Sequence, residues 1–300
     1  MKNALVTGGS GYIGSHLTHA LKRAGWFVLS FDKRAPHPTR LVNSQVVGDL
    51  LSPSDVEYLT GHKFDVIFHL AALIDVEESQ REPERYWANN TTATERLLEA
   101  FPKTPIVFSS TAAVYDSSND PLSESHSLRP SSVYGETKLT AEVKIREAGN
   151  PHAILRYFNV AGCSPGMVDN HKRVTHLIPR ALKSDGIEIY GDDYETSDGT
   201  AVRDYVHVED VAMAHIAAAE RLKAGKPSIT ANIGSGMGYS VQDVLACVRD
   251  VTGRELPSVT VPRRSGDPAA LVADTRLAER ELGFSPRYGL RDMISSHAFD

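Results

Sequence analysis

The feature that most constrains the fold is a glycine-rich turn near the N-terminus, between an apolar strand and a helix. The strand is predicted at residues 4–6, and the helix at residues 13–24, ending at Gly25. Gly8, Gly11 and Gly14 lie between them in a GxxGxxG spacing. Glycine allows a tight turn and lets backbone N–H groups approach a phosphate at the positive end of a helix. The chain therefore begins with a predicted βα unit suited to a dinucleotide.

Strands and helices alternate through the first half of the chain. Further strands are predicted at residues 27–31, 46–47, 66–68, 106–108 and 153–155, and helices near residue 54 and at residues 83–100 and 134–148. These strands are apolar without alternation, which indicates a parallel sheet covered on both faces. We therefore predict an α/β fold with a doubly wound parallel Rossmann sheet.

The pattern changes after Asn159, which predicts a second lobe. Residues 161–205 are rich in Gly, Asp, Pro and His and contain one clear helix, at residues 177–183. Later helices are predicted at residues 208–222, 240–252, 275–282 and 289–296, with a basic loop at residues 257–268. The prediction is a first domain of residues 1–160 plus about 206–235. A smaller, interleaved lobe takes about 161–205 and 236–300.

Composition narrows the classes of partner. A formal net charge of −6 argues against nucleic acid, which favours a basic face. Cys163 and Cys247 lack metal-ligand spacing, so neither a zinc site nor a disulfide framework is expected. A strand at residues 2–7 leaves no room for a signal peptide, and no apolar run approaches the roughly 20 residues of a membrane span. We expect a cytoplasmic protein without a membrane partner.

Asp32 ends the second predicted strand, about 20 residues after the glycine turn, where a carboxylate accepts hydrogen bonds from the adenosine ribose. Its charge repels the extra phosphate of NADP, so NAD is the predicted cofactor. Lys33 and Arg34 follow at once and soften that preference. Asp49 and Leu50, after the third strand, suit an adenine contact.

Tyr134 and Lys138 form a YxxxK pair that shares one helix face. An ammonium within about 4–6 Å favours the phenolate by roughly 3–4 kcal/mol at an effective dielectric near 20. With the charge of an oxidised nicotinamide, the pKa of Tyr134 is expected to move toward neutrality, as a general acid/base requires. Thr111 follows a strand at the carboxyl edge of the sheet, where its hydroxyl can share a proton with Tyr134.

With these motifs in place, the chain resembles the extended short-chain dehydrogenase/reductase family, and within it the UDP-glucose 4-epimerases. The resemblance is carried, in order along nearly the whole chain, by residues 7–16, 69–72, 109–115, 134–138, 156–159, 190–194, 198–200 and 203–208. It implies reversible 4-epimerisation of a UDP-hexose through a transient 4-keto sugar, with tightly bound NAD. Tyr134, Lys138 and Thr111 are the implied catalytic residues.

The resemblance also implies two binding sets. The NAD set is Gly8, Gly11, Tyr12, Ile13, Gly14, Asp32, Asp49, Leu50, Leu70, Ala71, Ala72, Asn89, Lys138 and Phe158. The UDP-sugar set is Thr111, Tyr134, Asn159, His176, Leu177, Tyr190, Arg203, Arg264, Asp267 and Leu271. Two arginines suit a diphosphate, because guanidinium groups bind its oxygens in bidentate fashion.

Three places depart from the family pattern, the first being Asp116 after Tyr115, where Gly is commoner. Ile74 stands where many of these epimerases carry a lysine, so NAD retention is expected to be weaker. Leu271 is intermediate in size at the position that restricts the sugar C2 substituent. UDP-glucose/galactose is therefore the expected pair, with the N-acetylated pair as an open alternative.

Three other functions compete. A 4,6-dehydratase carries Asp-Glu after the catalytic Thr, where this chain has Ala112 and Ala113, and the same alanines weaken a uronate epimerase or decarboxylase. A silent NAD-binding sensor would not need Thr111, Tyr134 and Lys138. Relatives pair the helices at 83–100 and 134–148 into a dimer, which implies a homodimer here.

Overall fold

The computed structural model describes residues 2–35, 43–116, 118, 120–165, 167, 176–264 and 266–298. The chain divides into two compact units. Unit 1 is Met1–Asp116, Ser127–Arg156 and Ala212–Ala231, and unit 2 is Ser117–His126, Tyr157–Val211 and Asn232–Asp300. The predicted first domain ran unbroken from residue 1 to 160, so the assignment of Ser117–His126 to unit 2 differs from it. Leu122 explains the difference, because its N–H donates to Val272 O at 2.8 Å within unit 2.

Strands and α-helices are found in both units of the described chain. The strands are β1 (Lys2–Thr7), β2 (Trp26–Asp32), β3 (Ser44–Val47), β4 (Val66–His69), β5 (Ile106–Thr111), β6 (His152–Tyr157), β7 (Asn159–Ala161), β8 (Ile187–Tyr190), β9 (Val202–His207), β10 (Ile229–Ile233), β11 (Gly238–Ser240), β12 (Ser258–Val261) and β13 (Ala270–Leu271). The helices are α1 (Tyr12–Arg23), α2 (Pro53–Thr60), α3 (Val76–Arg81), α4 (Pro83–Tyr86), α5 (Ala93–Ala100), α6 (Val133–Ala148), α7 (Leu177–Lys183), α8 (Val208–Lys223), α9 (Val241–Thr252), α10 (Arg276–Leu282) and α11 (Leu290–Ala298).

Unit 1 is built on a seven-stranded sheet in the order β10-β6-β5-β4-β1-β2-β3. The pairings of β1 with β2 and β4, of β2 with β3, and of β4 with β5 are all parallel. The order 3-2-1-4-5-6 is that of a doubly wound dinucleotide-binding sheet, here extended by β10. The predicted fold class is confirmed.

Apolar strands and helix faces bury a common core in unit 1. Leu5, Phe31, Ile67 and Phe108 of the strands pack with residues of α2, α5 and α6 such as Ile145. The helix α6 begins at Ser132, whose side chain accepts a hydrogen bond from Gly135 N–H, and it ends at Gly149, which has a φ of 75°. These two caps fix where the helix that carries Tyr134 and Lys138 starts and stops.

Residues 83–100, predicted as one helix, are helical throughout but not uniform. A π-helical segment, Trp87–Thr92, separates α4 from α5. Such segments are rare and are frequently found at functional sites. This one contains Asn89, a predicted NAD residue, and Asn90, whose side chain reaches Leu73 and Thr137.

Unit 2 has its own sheets and core. β9 pairs with β11, β13 and β7, and β8 pairs in parallel with β12. The core includes Ile178, Ile189, Val244 and Met293. The predicted basic loop at residues 257–268 was wrong in its first part, because Ser258–Val261 forms β12. In the part of the chain that the structure describes, no helix has the length and apolarity needed to cross a membrane.

Candidate active site

The glycine turn of unit 1 closes tightly on itself and on the loop after β4. Gly11 N–H donates to Gly8 O at 2.9 Å. A Cβ on Gly14 would press against Gly8 O well inside van der Waals contact, and one on Gly8 would lie 2.7 Å from Ala71 N. Gly8 also has a φ of 75°, which L side chains rarely adopt. The backbone therefore requires glycine at positions 8 and 14, while a Cβ on Gly11 would make only a tight contact of 3.0 Å with Gly8 O.

The turn leads into the N-terminus of α1. Gly11 is the N-cap residue, and among the described residues no side chain caps it and no acidic residue lies in the first turn. The first N–H groups of the helix therefore point outward with their partial positive charge. Such an end can hold a pyrophosphate.

Asp32 lies at the end of β2, buried and close to the turn. Its carboxylate accepts Ser10 N–H at 3.0 Å and Arg34 N–H at 2.9 Å, and the Arg34 guanidinium lies 3.3 Å away. Lys33 Nζ contacts Asn89 Oδ1 at 2.6 Å and Asp49 Oδ2 at 2.9 Å. The cations next to Asp32 therefore bind predicted cofactor residues, and their effect on the preference between NAD and NADP stays a prediction.

The remaining predicted cofactor residues of unit 1 follow the carboxyl ends of neighbouring strands. Tyr12 and Ile13 open α1 after β1, Asp49 and Leu50 follow β3, and Leu70, Ala71 and Ala72 follow β4. This is the edge at which α/β sheets bind ligands. Phe158 belongs to unit 2, where it is buried and its N–H donates to Ile233 O at 3.1 Å.

The predicted catalytic residues meet where β5 ends and α6 begins. Thr111 is the last residue of β5, and its hydroxyl accepts Ala113 N–H at 3.2 Å and lowers the pKa of the Tyr134 phenol. Lys138 follows one helical turn later, buried, with Nζ 4.1 Å from the centre of the Phe108 ring. Gly135 lets this turn approach Ala113, because a Cβ there would lie 2.5 Å from Ala113 O.

The pKa values of Tyr134 and Lys138 both depart from their ordinary values. Burial raises it to about 12, and the hydrogen bond from Thr111 lowers it only in part. Burial also lowers the pKa of Lys138 to about 7, against the charge of Glu142, which raises it. Desolvation therefore dominates the pKa of Tyr134 among the protein groups alone. The expected fall, which includes the charge of an oxidised nicotinamide, stays a prediction.

Several polar residues behind this site were missed from the sequence. His69 lies between Thr7 and Thr94, with ring nitrogens 2.7 and 2.9 Å from their hydroxyls. Burial, together with the charge of Lys138, lowers the pKa of His69 to about 3. Glu142 and Arg156 form a second buried group. The spacing of Glu142, four residues after Lys138, was the signal that could have revealed it.

Unit 2 contains a separate cavity of about 200 Å³ with both charged and aromatic walls. Seven of the predicted UDP-sugar residues line it, namely Asn159, His176, Leu177, Tyr190, Arg203, Arg264 and Asp267. The lining also includes Tyr205, Arg180 and Glu188. Leu271 does not line the cavity but lies on β13, in register with Arg203 of β9. The structure thus brings together the predicted diphosphate residues without Leu271.

Arginine and tyrosine side chains both line this cavity. Arg203 Nη2 lies 2.5 Å from Asp267 Oδ1, and the Arg264 guanidinium stacks 3.9 Å above the Tyr190 ring. Burial raises the pKa of Tyr205 to about 12, so its hydroxyl stays a neutral donor. Two guanidiniums beside flat rings suit a ligand with a diphosphate and a base.

Comparisons with known proteins agree with this chemistry. The model of the family described as "NAD dependent epimerase/dehydratase family" matches residues 4–234. The chain is 39% identical to a UDP-glucose 4-epimerase of Halalkalibacterium halodurans, over 99% of this chain and 94% of that protein. It is similar to the crystal structure of UDP-glucose 4-epimerase from Brucella ovis in complex with NAD, with a TM-score of 0.94, 37% identity, and coverage of 99% and 98%. A Stenotrophomonas maltophila UDP-glucose-4-epimerase with bound NAD and formylated UDP-arabinopyranose gives a TM-score of 0.92 and 35% identity, covering 99% and 97%.

Proposed function

The chain belongs to the NAD dependent epimerase/dehydratase family, and we propose that it interconverts UDP-hexoses by inversion at C4. UDP-glucose and UDP-galactose are the proposed pair, with a transient 4-keto sugar as intermediate. The observation that carries the proposal is the placing of Thr111 at the end of β5 with Tyr134 and Lys138 on one face of the first turns of α6. The relatives named above are UDP-glucose 4-epimerases.

The residues of unit 1 fit NAD. A Cβ on Gly8 or Gly14 would obstruct the turn, and the N-terminus of α1, which no side chain caps, suits the pyrophosphate. Asp32 would accept the ribose hydroxyls, and Asp49, Leu50 and Asn89 would flank the adenosine. When bound, NAD supplies a nicotinamide that takes up and returns a hydride.

Within the proposed reaction, Tyr134 removes the proton of the sugar 4-hydroxyl, and Thr111 hydrogen-bonds the same oxygen. Because burial holds the pKa of Tyr134 at about 12, the phenolate forms only where positive charge gathers beside it. Lys138, on the same face of α6, provides one such charge. Tyr134 then returns the proton to the 4-oxygen once the other face of the keto sugar has been reduced.

The cavity of unit 2 is proposed to bind the UDP moiety. Arg203 and Arg264 would contact the diphosphate. Tyr190 and Asn159 also line the cavity and would contribute uncharged polar groups. A firm hold on the diphosphate is what allows the keto sugar to turn without leaving. Leu271, outside the cavity lining, is proposed to limit the C2 substituent only weakly, so the N-acetylated pair is a secondary substrate.

The alanines after Thr111 favour epimerisation over dehydration. Ala112 and Ala113 form a 3₁₀ turn directly behind Thr111 and carry no group that transfers protons. Elimination across C5 and C6 needs an additional acid and base. The family includes dehydratases. In this proposal, the alanines at positions 112 and 113 distinguish epimerisation from dehydration.

The test is a coupled assay on UDP-galactose and on UDP-N-acetylgalactosamine, with the nucleotides of the denatured protein measured by mass spectrometry. We expect turnover of UDP-galactose and release of NAD. Tyr134→Phe should lower kcat by about 10²–10⁴ while NAD content stays unchanged. Tyr58→Phe, a change at an exposed tyrosine, is the matched control. A wild-type protein inactive on both sugars, or an active Tyr134→Phe, would refute the proposal.

We further propose a cytoplasmic homodimer. Cys163 and Cys247 are free thiols, as a reducing compartment favours. Trp87 and Val143, on the π-helical segment and α6, are exposed apolar side chains on the helices expected to pair. Light scattering measures the mass in solution, and a particle of 32.7 kDa would rule the dimer out.

A further inference from the structure

The helix α6 carries a buried acidic side chain one turn after Lys138. Glu142 has no exposed side-chain surface, and Lys138 is only 2% exposed. The i,i+4 spacing places both on one face of the helix. An unneeded buried carboxylate is unfavourable, so its presence beside a catalytic ammonium calls for a role.

Glu142 is held as an anion by several donors. Arg156 Nη2 and Nε lie 2.6 and 2.9 Å from its two oxygens, and Arg146 Nη2 lies 2.9 Å away. The Ser110 hydroxyl donates to Glu142 Oε1 at 2.6 Å. Although burial opposes ionisation, Arg156 above all holds the pKa of this carboxyl below its ordinary value.

The groups that face Lys138 come from three elements. Phe108 lies under the ammonium from β5, and His69, whose pKa the charge of Lys138 helps to lower, faces it from β4 as a neutral ring. Tyr134 and Glu142 belong to α6 itself. Among the described residues, Glu142 is the one acidic side chain that acts on the charge of Lys138.

We infer that Glu142 is a positioning residue that keeps Lys138 cationic, and that Arg146 and Arg156 set how strongly its charge acts there. Through Ser110 it also fixes the end of β5, directly before Thr111. Burial brings the pKa of Lys138 to about 7, so near neutrality the ammonium population depends on this carboxylate. The role rests on the proposed function, in which Lys138 must be charged for Tyr134 to act.

The test compares pH profiles of kcat for variants that change the charge at Glu142 in opposite directions. Glu142→Gln removes the anion, and the alkaline limb should move to lower pH by about one unit or more, as expected for a unit charge one turn away. Arg146→Gln removes a cation that partly neutralises Glu142, so the carboxylate should stabilise the Lys138 ammonium more strongly. The alkaline limb of the kcat profile should therefore move to higher pH. A purely structural role would lower kcat at every pH without such opposite displacements.

Two further measurements keep the result decisive. Glu147→Gln, on the exposed face of the same helix, should leave the profile in place. Glu142→Gln leaves Arg156 buried and unpaired and can unfold the protein, whereas Arg146 is partly exposed and its variant should fold. Displacements in the same direction, or an unmoved profile for Arg146→Gln, would overturn the inference.

The charge of Lys138 is also measured without catalysis. An ¹⁵N-lysine NMR titration follows its Nζ signal, which Lys138→Met identifies by its loss. The titration midpoint should fall in Glu142→Gln and rise in Arg146→Gln. An inactive wild type would refute the proposed function, while this titration would still decide the role of Glu142.

Discussion

Arg263 and Arg264 are adjacent in sequence but occupy different environments. Arg264 lines the cavity of unit 2 and stacks on Tyr190. Arg263 lies outside the lining, stacked on Tyr194 and paired with Asp193 at 2.6 Å. The guanidinium of Arg264 is therefore available to an anionic ligand in the cavity. The guanidinium of Arg263 instead contacts Tyr194 and Asp193 outside the cavity lining.

The neighbouring arginines provide a matched test. Arg264→Ala should weaken UDP binding about 10- to 100-fold, because a charge-assisted hydrogen bond contributes roughly 1.5–3 kcal/mol. Arg263→Ala should keep the wild-type affinity. Isothermal titration with UDP alone measures both, and equal losses for the two variants would contradict the assigned cavity.

At the scale of single residues, the sequence predicts those features that neighbouring residues along the chain determine. Tyr134 and Lys138 share a face by helical spacing alone, and the glycine positions follow from backbone sterics. The raised pKa of Tyr134 was missed because desolvation depends on what surrounds the ring in three dimensions. Glu142 was passed over for the same reason, since Arg156 and Ser110 reach it from distant parts of the chain.

At the scale of elements, the first turn is the part most sensitive to a single methyl group. Gly14→Ala should push the start of α1 away from Gly8 O, because the added Cβ meets backbone rather than a flexible side chain. We expect at least a tenfold loss of bound NAD, as about 1.4 kcal/mol of lost binding gives that factor. Mass spectrometry of nucleotide released from purified protein measures it.

A glycine outside the turn supplies the control. Gly289→Ala adds a Cβ whose nearest neighbour is Asp292 Oδ2 at 3.8 Å, an ordinary contact. This variant should retain wild-type NAD. If Gly14→Ala also retained it, the turn would not be the pyrophosphate site.

The elements that the sequence predicted well are those with a strong local pattern. Leu177–Lys183 matches its prediction to the residue, and β1 to β6 lie where apolar runs indicated, whereas β10 of the same sheet was not predicted. β12 was missed because its pairing partner β8 lies some 70 residues earlier, and half-exposed short strands lack a distinctive period. The π-helical segment has no sequence signal beyond its polar asparagines.

At the scale of the whole molecule, the residues proposed for the chemistry and those proposed for anchoring the substrate belong to two interleaved units. Unit 1 carries the glycine turn, Thr111, Tyr134 and Lys138, and unit 2 carries the arginine-lined cavity. The two units are interleaved along the chain, because the last segment of unit 1, residues 212–231, comes after a long segment of unit 2. A truncation after residue 160 would therefore remove β10 and most of α8 from unit 1.

Unit 1 should lose stability in mild acid because of His69. Its folded pKa is about 3, against 6.5 for an ordinary histidine, so between these values the unfolded chain binds a proton that the folded chain does not. Stability contributed by the neutral ring is present above pH 6.5 and falls as pH falls toward 3. Each bound proton costs about 1.4 kcal/mol per pH unit, so this site alone should lower the unfolding free energy by about 2 kcal/mol between pH 7 and 5.

Urea unfolding followed by tryptophan fluorescence reads this effect selectively, because both tryptophans, Trp26 and Trp87, belong to unit 1. His69→Gln should be less stable at pH 7, since it disturbs the bonds to Thr7 and Thr94, but its stability should change about 2 kcal/mol less between pH 7 and 5. His62→Gln, a change at an exposed histidine, should keep the wild-type pH dependence. An equally steep decline in His69→Gln would mean that other groups, and not the buried imidazole, set the acid sensitivity of unit 1.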